Sequence, residues 1–126
     1  MEKKVIQTDK APAAVAAYSQ AIKANGFIFV SGQIGLEPAT GKLSGGTAAE
    51  QTMTALRNIS AILEAAGSGM DKVVKCTVLL DSIADYPEVN NVYSRFFPKD
   101  PPARAAYAVG KLPLGALVEI EAIALE

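Results

Sequence analysis

The sequence predicts an α+β domain in which two helices pack on one face of a mixed β-sheet. Three observations lead there. Asn25-Gly26 stands between two strand-like runs, a strong hairpin signal because both residues tolerate positive φ. Segments beginning at Thr47 and Asp85 open with capping patterns and continue with apolar residues at helical spacing. Apolar runs rich in β-branched residues lie between and after them, so the predicted order is hairpin, helix, strand, helix, hairpin. At 126 residues the chain reads as one domain, 1–126, burying roughly two-thirds of its unfolded surface.

Residues 1–10 are polar apart from Val5-Ile6, a candidate edge strand. Ala11–Ala17, Ala-rich with Pro12, reads as a loop leading into the first hairpin. There Tyr18, Gln20, Ile22 and Ala24 alternate with Ser19, Ala21 and Lys23, and Phe27–Ser31 returns beside them. Gly32 follows at the strand end, where a missing side chain lets a ligand approach the backbone. A turn-rich loop with Pro38, Gly41, Gly45 and Gly46 comes next. Its glycine spacing matches no phosphate-binding loop, and no Lys-Ser/Thr follows.

Thr47-Ala48-Ala49-Glu50 reads as a capping box. Ala49, Met53, Leu56, Ser60 and Leu63, with Thr52, Ile59 and Ala66 beside them, make the predicted buried stripe of a helix ending at Gly67. Asp71–Leu80 is the most strand-like run and is apolar on both faces. Helices can cover one face; the other calls for a second subunit. Asp85-Tyr86-Pro87-Glu88 starts the second helix, Val89, Val92, Tyr93 and Phe96 form its buried face, and Pro98 stops it. Asn90 on this helix is either an exposed polar residue or a distant support for a site. The last quarter holds two more strand-like runs, Pro102–Val109 and Val118–Ala124, joined through Leu112–Ala116.

Composition narrows the chemistry. Net charge is −1 and Lys and Arg are scattered, which argues against nucleic acid as a partner. The absence of a signal-like segment or a long apolar run points to a soluble cytoplasmic protein with no membrane association. The single Cys76 excludes an internal disulfide and reads as a small core residue rather than a nucleophile. With no histidine, the commonest metal ligand and the commonest neutral-pH base are both missing, and no metal is expected.

Charges inside the last two apolar runs are the odd feature: Arg104 in one, Glu119 and Glu121 in the other. Each costs several kcal/mol unless paired or wet. A guanidinium there is shaped to hold a carboxylate through two parallel charge-assisted bonds. Glu121 can accept a proton from water, and such assistance is worth about 10²–10⁴-fold. That suffices only for a reaction already easy in water, such as hydration of an activated C=N bond. The bland reading is an Arg104–Glu121 structural ion pair with Glu119 at an interface. Symmetric pairing about Pro113-Leu114-Gly115 would send Arg104 and Glu121 to opposite faces; a bulge, another register or a non-hairpin arrangement would bring them together.

The last quarter, together with Ala17-Tyr18-Ser19-Gln20-Ala21-Ile22, Val30-Ser31-Gly32-Gln33-Ile34, Ala65-Ala66-Gly67, Val73–Val78 and Val89-Asn90-Asn91-Val92-Tyr93, resembles the YjgF/RidA family of reactive-intermediate deaminases along nearly the whole chain. The resemblance implies a chorismate-mutase-like fold and a homotrimer with one site in each cleft between subunits. It implies hydrolysis of 2-iminobutanoate and 2-iminopropanoate, formed from 2-aminocrotonate and 2-aminoacrylate, to 2-oxo acids and ammonia without a cofactor. Carried over by motif, Arg104 grips the substrate carboxylate and Glu121 activates the water. Tyr18, Ser31 and Gly32 line the cleft, with Ala106 contributing through its backbone and Asn90 as support. Many bacterial members have Cys where this chain has Ala106, which excludes thiol regulation there, and Ala17 stands where Pro is usual. Two other readings remain: a non-catalytic regulatory module binding a small 2-oxo acid, and an endoribonuclease that inhibits translation, which the missing histidines disfavour.

Overall fold

The computed structural model describes residues 2–126. Six strands, β1 (Lys4–Ile6), β2 (Ala21–Ala24), β3 (Phe27–Ile34), β4 (Val73–Leu80), β5 (Ala103–Ala108) and β6 (Val118–Leu125), accompany two helices, α1 (Ala48–Ala65) and α2 (Tyr86–Phe96). The strands form one sheet in the order β1-β2-β3-β6-β4-β5. Only β4–β5 is parallel, so the sheet is mixed, as predicted.

The first hairpin forms where expected. Ala24 pairs with Phe27, and Asn25 (φ 50°) and Gly26 (φ 83°) make the turn alone. Its first strand begins at Ala21 rather than Tyr18, because the preceding chain is tied elsewhere. The buried Gln20 amide accepts from Thr8 N–H at 2.7 Å and donates to the Thr8 and Pro12 carbonyls at 3.0 and 2.8 Å. β3 then bulges between Val30 and Gln33, placing Ser31 and Gly32 in the irregularity.

The Thr47 hydroxyl caps α1 by accepting from Glu50 N–H at 3.1 Å, and it donates to the Glu50 carboxylate at 2.8 Å. At the other end Gly67 adopts φ 81°, bonding Glu64 O at 3.0 Å, while Ser68 N–H reaches Leu63 O at 2.8 Å. The buried stripe is rotated from the expected one. Ala55, Leu56, Ile59, Ile62 and Leu63 are buried, whereas Ala49, Met53 and Ser60 are only partly so. Polar residues share the burial for a reason apolar periodicity does not register: they fasten loops. Gln51 donates to Gly45 O and accepts from Leu117 N–H, both at 2.8 Å, and Asn58 donates to Leu36 O at 2.9 Å.

β4 starts at Val73, after a 3₁₀ turn over Met70–Lys72, and a register shift before Lys75 buries Val73 instead of Val74. In α2, Pro87 occupies the first turn, but the Asp85 side chain makes no capping bond. Glu88 instead reaches across to α1 and accepts Ala49 N–H at 3.0 Å. Phe97 is buried against Tyr93, their ring centroids 4.8 Å apart, while Phe96 is half-buried.

The closing hairpin does not form. β5 pairs parallel with β4, and β6 inserts between β3 and β4, antiparallel to both. The connection through Leu112–Ala116 therefore crosses over instead of turning back, with Leu114 (φ 57°) and Gly115 (φ 70°) setting its bend.

One face of the sheet packs on both helices. Ile28, Val30, Cys76, Val78, Leu80, Val118, Ile120, Ala122 and Ala124 meet Leu56, Ile59, Ile62, Leu63, Val89 and Tyr93. Full burial of each Ile or Leu contributes roughly 1.5–3 kcal/mol. A smaller cluster of Ile34, Leu112 and Ala116, with Leu36, Leu43, Leu79 and Val109, covers one end of the opposite face. The rest of that face is bare, exposing Phe27, Phe29 and Leu125. No helix among the described residues is long and apolar enough to cross a membrane.

Gln51→Ala leaves the Gly45 carbonyl and the Leu117 amide without their partner. Each group left unpaired costs roughly 1–3 kcal/mol, so chemical denaturation should show a clear drop in midpoint with an unchanged slope.

Candidate active site in two halves

The predicted site residues fall into two groups on opposite faces of the sheet. Arg104 is the β5 register partner of Cys76, which belongs to the helix-side core. Thr77, the next residue of β4, is the partner of Glu121. Alternation along β4 therefore sends Arg104 toward α2 and Glu121 to the other face. The non-hairpin arrangement does not join them within one chain, and no Arg104–Glu121 ion pair forms; the ion pairs among the described residues are Lys23–Glu126 and Lys111–Asp81.

The first half is built on β5 and α2. Arg104 donates from Nη1 to Asn90 Oδ1 at 2.8 Å and from Nη2 to the Tyr86 hydroxyl. Its guanidinium carbon lies 5.4 Å from the Tyr86 ring centroid and 4.8 Å from that of Tyr93. Half-buried, the cation thus has only neutral partners among the described residues. It opens onto a cleft of about 510 Å³ lined by Ile83, Tyr86, Pro87, Arg104 and Ala106. Asn90 is accordingly a support for the arginine rather than a solvent-facing helix residue. Tyr86 and Tyr93 are the residues that sequence reasoning missed. Their signal was present: Tyr86, Asn90 and Tyr93 recur at helical spacing and so share a face of α2.

The second group comprises Tyr18, Ser31, Gly32, Glu119 and Glu121, with Tyr18 and Glu121 lining separate cavities. The Ser31 hydroxyl donates to Ser19 O at 2.5 Å, tying the bulge to the segment that carries the exposed Tyr18. Gly32 lies against the tip of Glu119, a flexible side chain that would have to swing aside for any larger residue. A Cβ at that position would stand 2.0 Å from the Glu119 carboxylate. Burial, and then the neighbouring Glu121 charge, push the Glu119 carboxyl above its ordinary value. Glu121 faces a shallow cavity of about 250 Å³ shared with Phe29, Lys75 and Thr77.

Cys76 is 1% exposed, and burial raises its thiol, an effect only opposed by Tyr93 and Arg104. That suits a core residue. The Tyr93 hydroxyl beside it is buried without a regular hydrogen-bond partner, and burial raises its pKa strongly. Among the described residues no three His, Cys, Asp or Glu side chains are grouped to hold a metal ion.

Residues 8–126 match the family described as Endoribonuclease L-PSP. A Rattus norvegicus protein named 2-iminobutanoate/2-iminopropanoate deaminase is 52% identical over 124 residues, covering 98% of this chain and 90% of the relative. The crystal structure of RidA from an Antarctic Psychrobacter matches with a TM-score of 0.94 at 44% identity, covering 98% of this chain and 99% of that one. That of E. coli TdcF with bound serine matches with a TM-score of 0.93 at 35% identity, covering 98% of each.

Two measurements probe the halves separately. Tyr93→Phe removes an unpaired buried hydroxyl, so stability should hold or rise by about 1 kcal/mol; a loss of that size would reveal a partner. A carboxyl raised on folding keeps its proton longer in the folded state, so stability falls as pH climbs from the ordinary 4.5 through the raised value. Glu119→Gln should therefore gain on the wild type as pH rises above 4.5 in denaturation experiments, and a constant difference would contradict the assignment.

Proposed function

We propose, since the chain belongs to the endoribonuclease L-PSP (YjgF/RidA) family, that it is a 2-iminobutanoate/2-iminopropanoate deaminase, a hydrolase of C=N bonds. The observation that carries this reading is Arg104, a half-buried cation on a cleft wall whose hydrogen-bond partners are all neutral. A short carboxylate supplies the missing countercharge, and a bond of this kind contributes roughly 1.5–3 kcal/mol net.

Hydrolysis then needs one base. Glu121 takes a proton from water as its oxygen bonds to the imine carbon and the C=N π-pair moves to nitrogen. That proton passes from Glu121 to nitrogen, giving a carbinolamine; Glu121 then takes the carbinol hydroxyl proton and hands it to the departing nitrogen, so the C–N bond breaks and ammonia leaves as the C=O bond forms. No electrons are gained or lost overall, so the reaction requires no redox cofactor.

Arg104 and Glu121 must meet for this, and the sheet keeps them on opposite faces of one chain. The site is therefore assembled between subunits. Arg104, Asn90 and Ala106 of one copy face Tyr18, Ser31, Gly32 and Glu121 of the next, in a closed homotrimer of the kind the family resemblance implies. The bare apolar face with Phe27, Phe29 and Leu125 supplies surface for that seam. A binding module without turnover would need the Arg104 half alone, which is the specific ground for testing the two halves independently. Net charge of −1 and the lack of histidine weigh against an endoribonuclease.

The protein is coupled to a serine or threonine dehydratase, and surviving imine is trapped with semicarbazide. Wild type should reduce the trapped product, and Arg104→Ala and Glu121→Gln should each lose at least about 100-fold in rate at unchanged assembled mass. Equal protection by wild type and Arg104→Ala would sink the reading. Coassembly of the two inactive variants should restore about a quarter of wild-type activity, because random assortment in a closed ring pairs an intact Arg104 with an intact Glu121 at that share of seams. No recovery would place both residues in one subunit's site.

A further inference from the structure

We infer that Tyr86 is a direct ligand of the substrate carboxylate, its phenolic hydrogen adding a donor to those of Arg104. The inference rests on the reading of Arg104 as the carboxylate anchor and follows from counting hydrogens. A guanidinium carries five N–H donors and no lone pair to accept with, so in the contact between Arg104 Nη2 and the Tyr86 hydroxyl the oxygen must be the acceptor. The hydroxyl keeps its own hydrogen, which has to point elsewhere.

The surroundings decide where. The cleft at this point is lined by Ile83, Tyr86, Pro87, Arg104 and Ala106, and apart from Tyr86 itself none of these side chains is a hydrogen-bond acceptor. The Asn90 carbonyl accepts Arg104 Nη1–H at 2.8 Å, and among the described residues the Tyr86 hydroxyl donates neither to it nor to a backbone carbonyl. The tyrosine O–H is thus a spare donor on the wall that carries the cation. The arginine has spent one hydrogen from each terminal nitrogen on protein partners, and the remaining three face the same need for an acceptor.

A carboxylate answers both groups, since it accepts up to about four hydrogen bonds and donates none. One oxygen can take an arginine hydrogen while the other takes the tyrosine's. A neutral amide in the same place would present an NH₂ group toward one of these donors and be rejected. Tyr86 therefore contributes to selection of 2-imino and 2-oxo acids over their amides.

The test uses the assembled protein and 2-oxobutanoate, the stable product, as calorimetric probe, alongside the imine-trapping assay. Tyr86→Phe keeps the ring and removes one oxygen. Loss of one hydrogen bond to a charged group should weaken 2-oxobutanoate binding and raise KM by about tenfold, with kcat changed by less than about threefold. A hydroxyl that merely steadied the arginine would lose its effect once the guanidinium is gone. Tyr86→Phe is therefore repeated in an Arg104→Lys background, where a direct ligand still costs severalfold in affinity and an indirect one costs nothing. Unchanged affinity in either background overturns the assignment. Arg104→Ala serves as the separate control: if it abolishes binding while Tyr86→Phe does not weaken it, only the tyrosine's role falls. If Arg104→Ala binds like wild type, the anchor itself falls and this inference with it.

Discussion

A positive charge stripped of much of its water and surrounded by neutral groups is the constraint on which the rest depends. Arg104 is held by the Asn90 carbonyl, the Tyr86 hydroxyl and two aromatic faces. Each stabilises the guanidinium through partial charges, and none cancels its full charge. Burying an ion this way is costly when the cleft is empty, and an anionic guest offsets that cost. In the proposed site the same features serve selectivity. The ring stack and two hydrogen bonds fix the plane of the guanidinium, so a planar acid meets a preoriented donor set.

Strand order is the ground for the proposed assembly. Because β6 lies between β3 and β4, Glu121 sits next to Thr77 while Arg104 sits next to Cys76, one residue out of phase. Alternation along a strand is strict, so no side-chain movement brings the acid and the cation to one face of a single copy. The bulge at Ser31-Gly32 lies against Glu119, which packs where a side chain on residue 32 would stand.

Local signals in the sequence were reliable guides. Asn25-Gly26 dictated its turn through backbone sterics, and Thr47 and Gly67 bounded α1 through their own hydrogen bonds. What could not be read was decided at long range. Pairing of β6 with β3 and β4 joins segments about ninety and about forty residues apart, and adjacency in sequence favoured the wrong partner, β5. The burial of Gln51 and Asn58 was hidden for a related reason, since their partners are loop carbonyls and amides fixed only in the finished fold. In the site, Arg104 and Glu121 stood out because charges in apolar strands are anomalous. Tyr86 did not, because an aromatic residue in the first turn of an amphipathic helix looks ordinary.

Glu88 joins these levels. It lies in the first turn of α2 and accepts the amide of Ala49 in the first turn of α1, so one anion sits at the positive ends of two helix dipoles. The two cylinders are latched at their heads. The chain between them, from the glycine terminator of α1 to the start of α2, is therefore relieved of holding the aromatic clamp against the arginine. Homologues could lengthen or rewrite its turns while the clamp stayed in place, and drift there would be tolerated where drift at the latch would not.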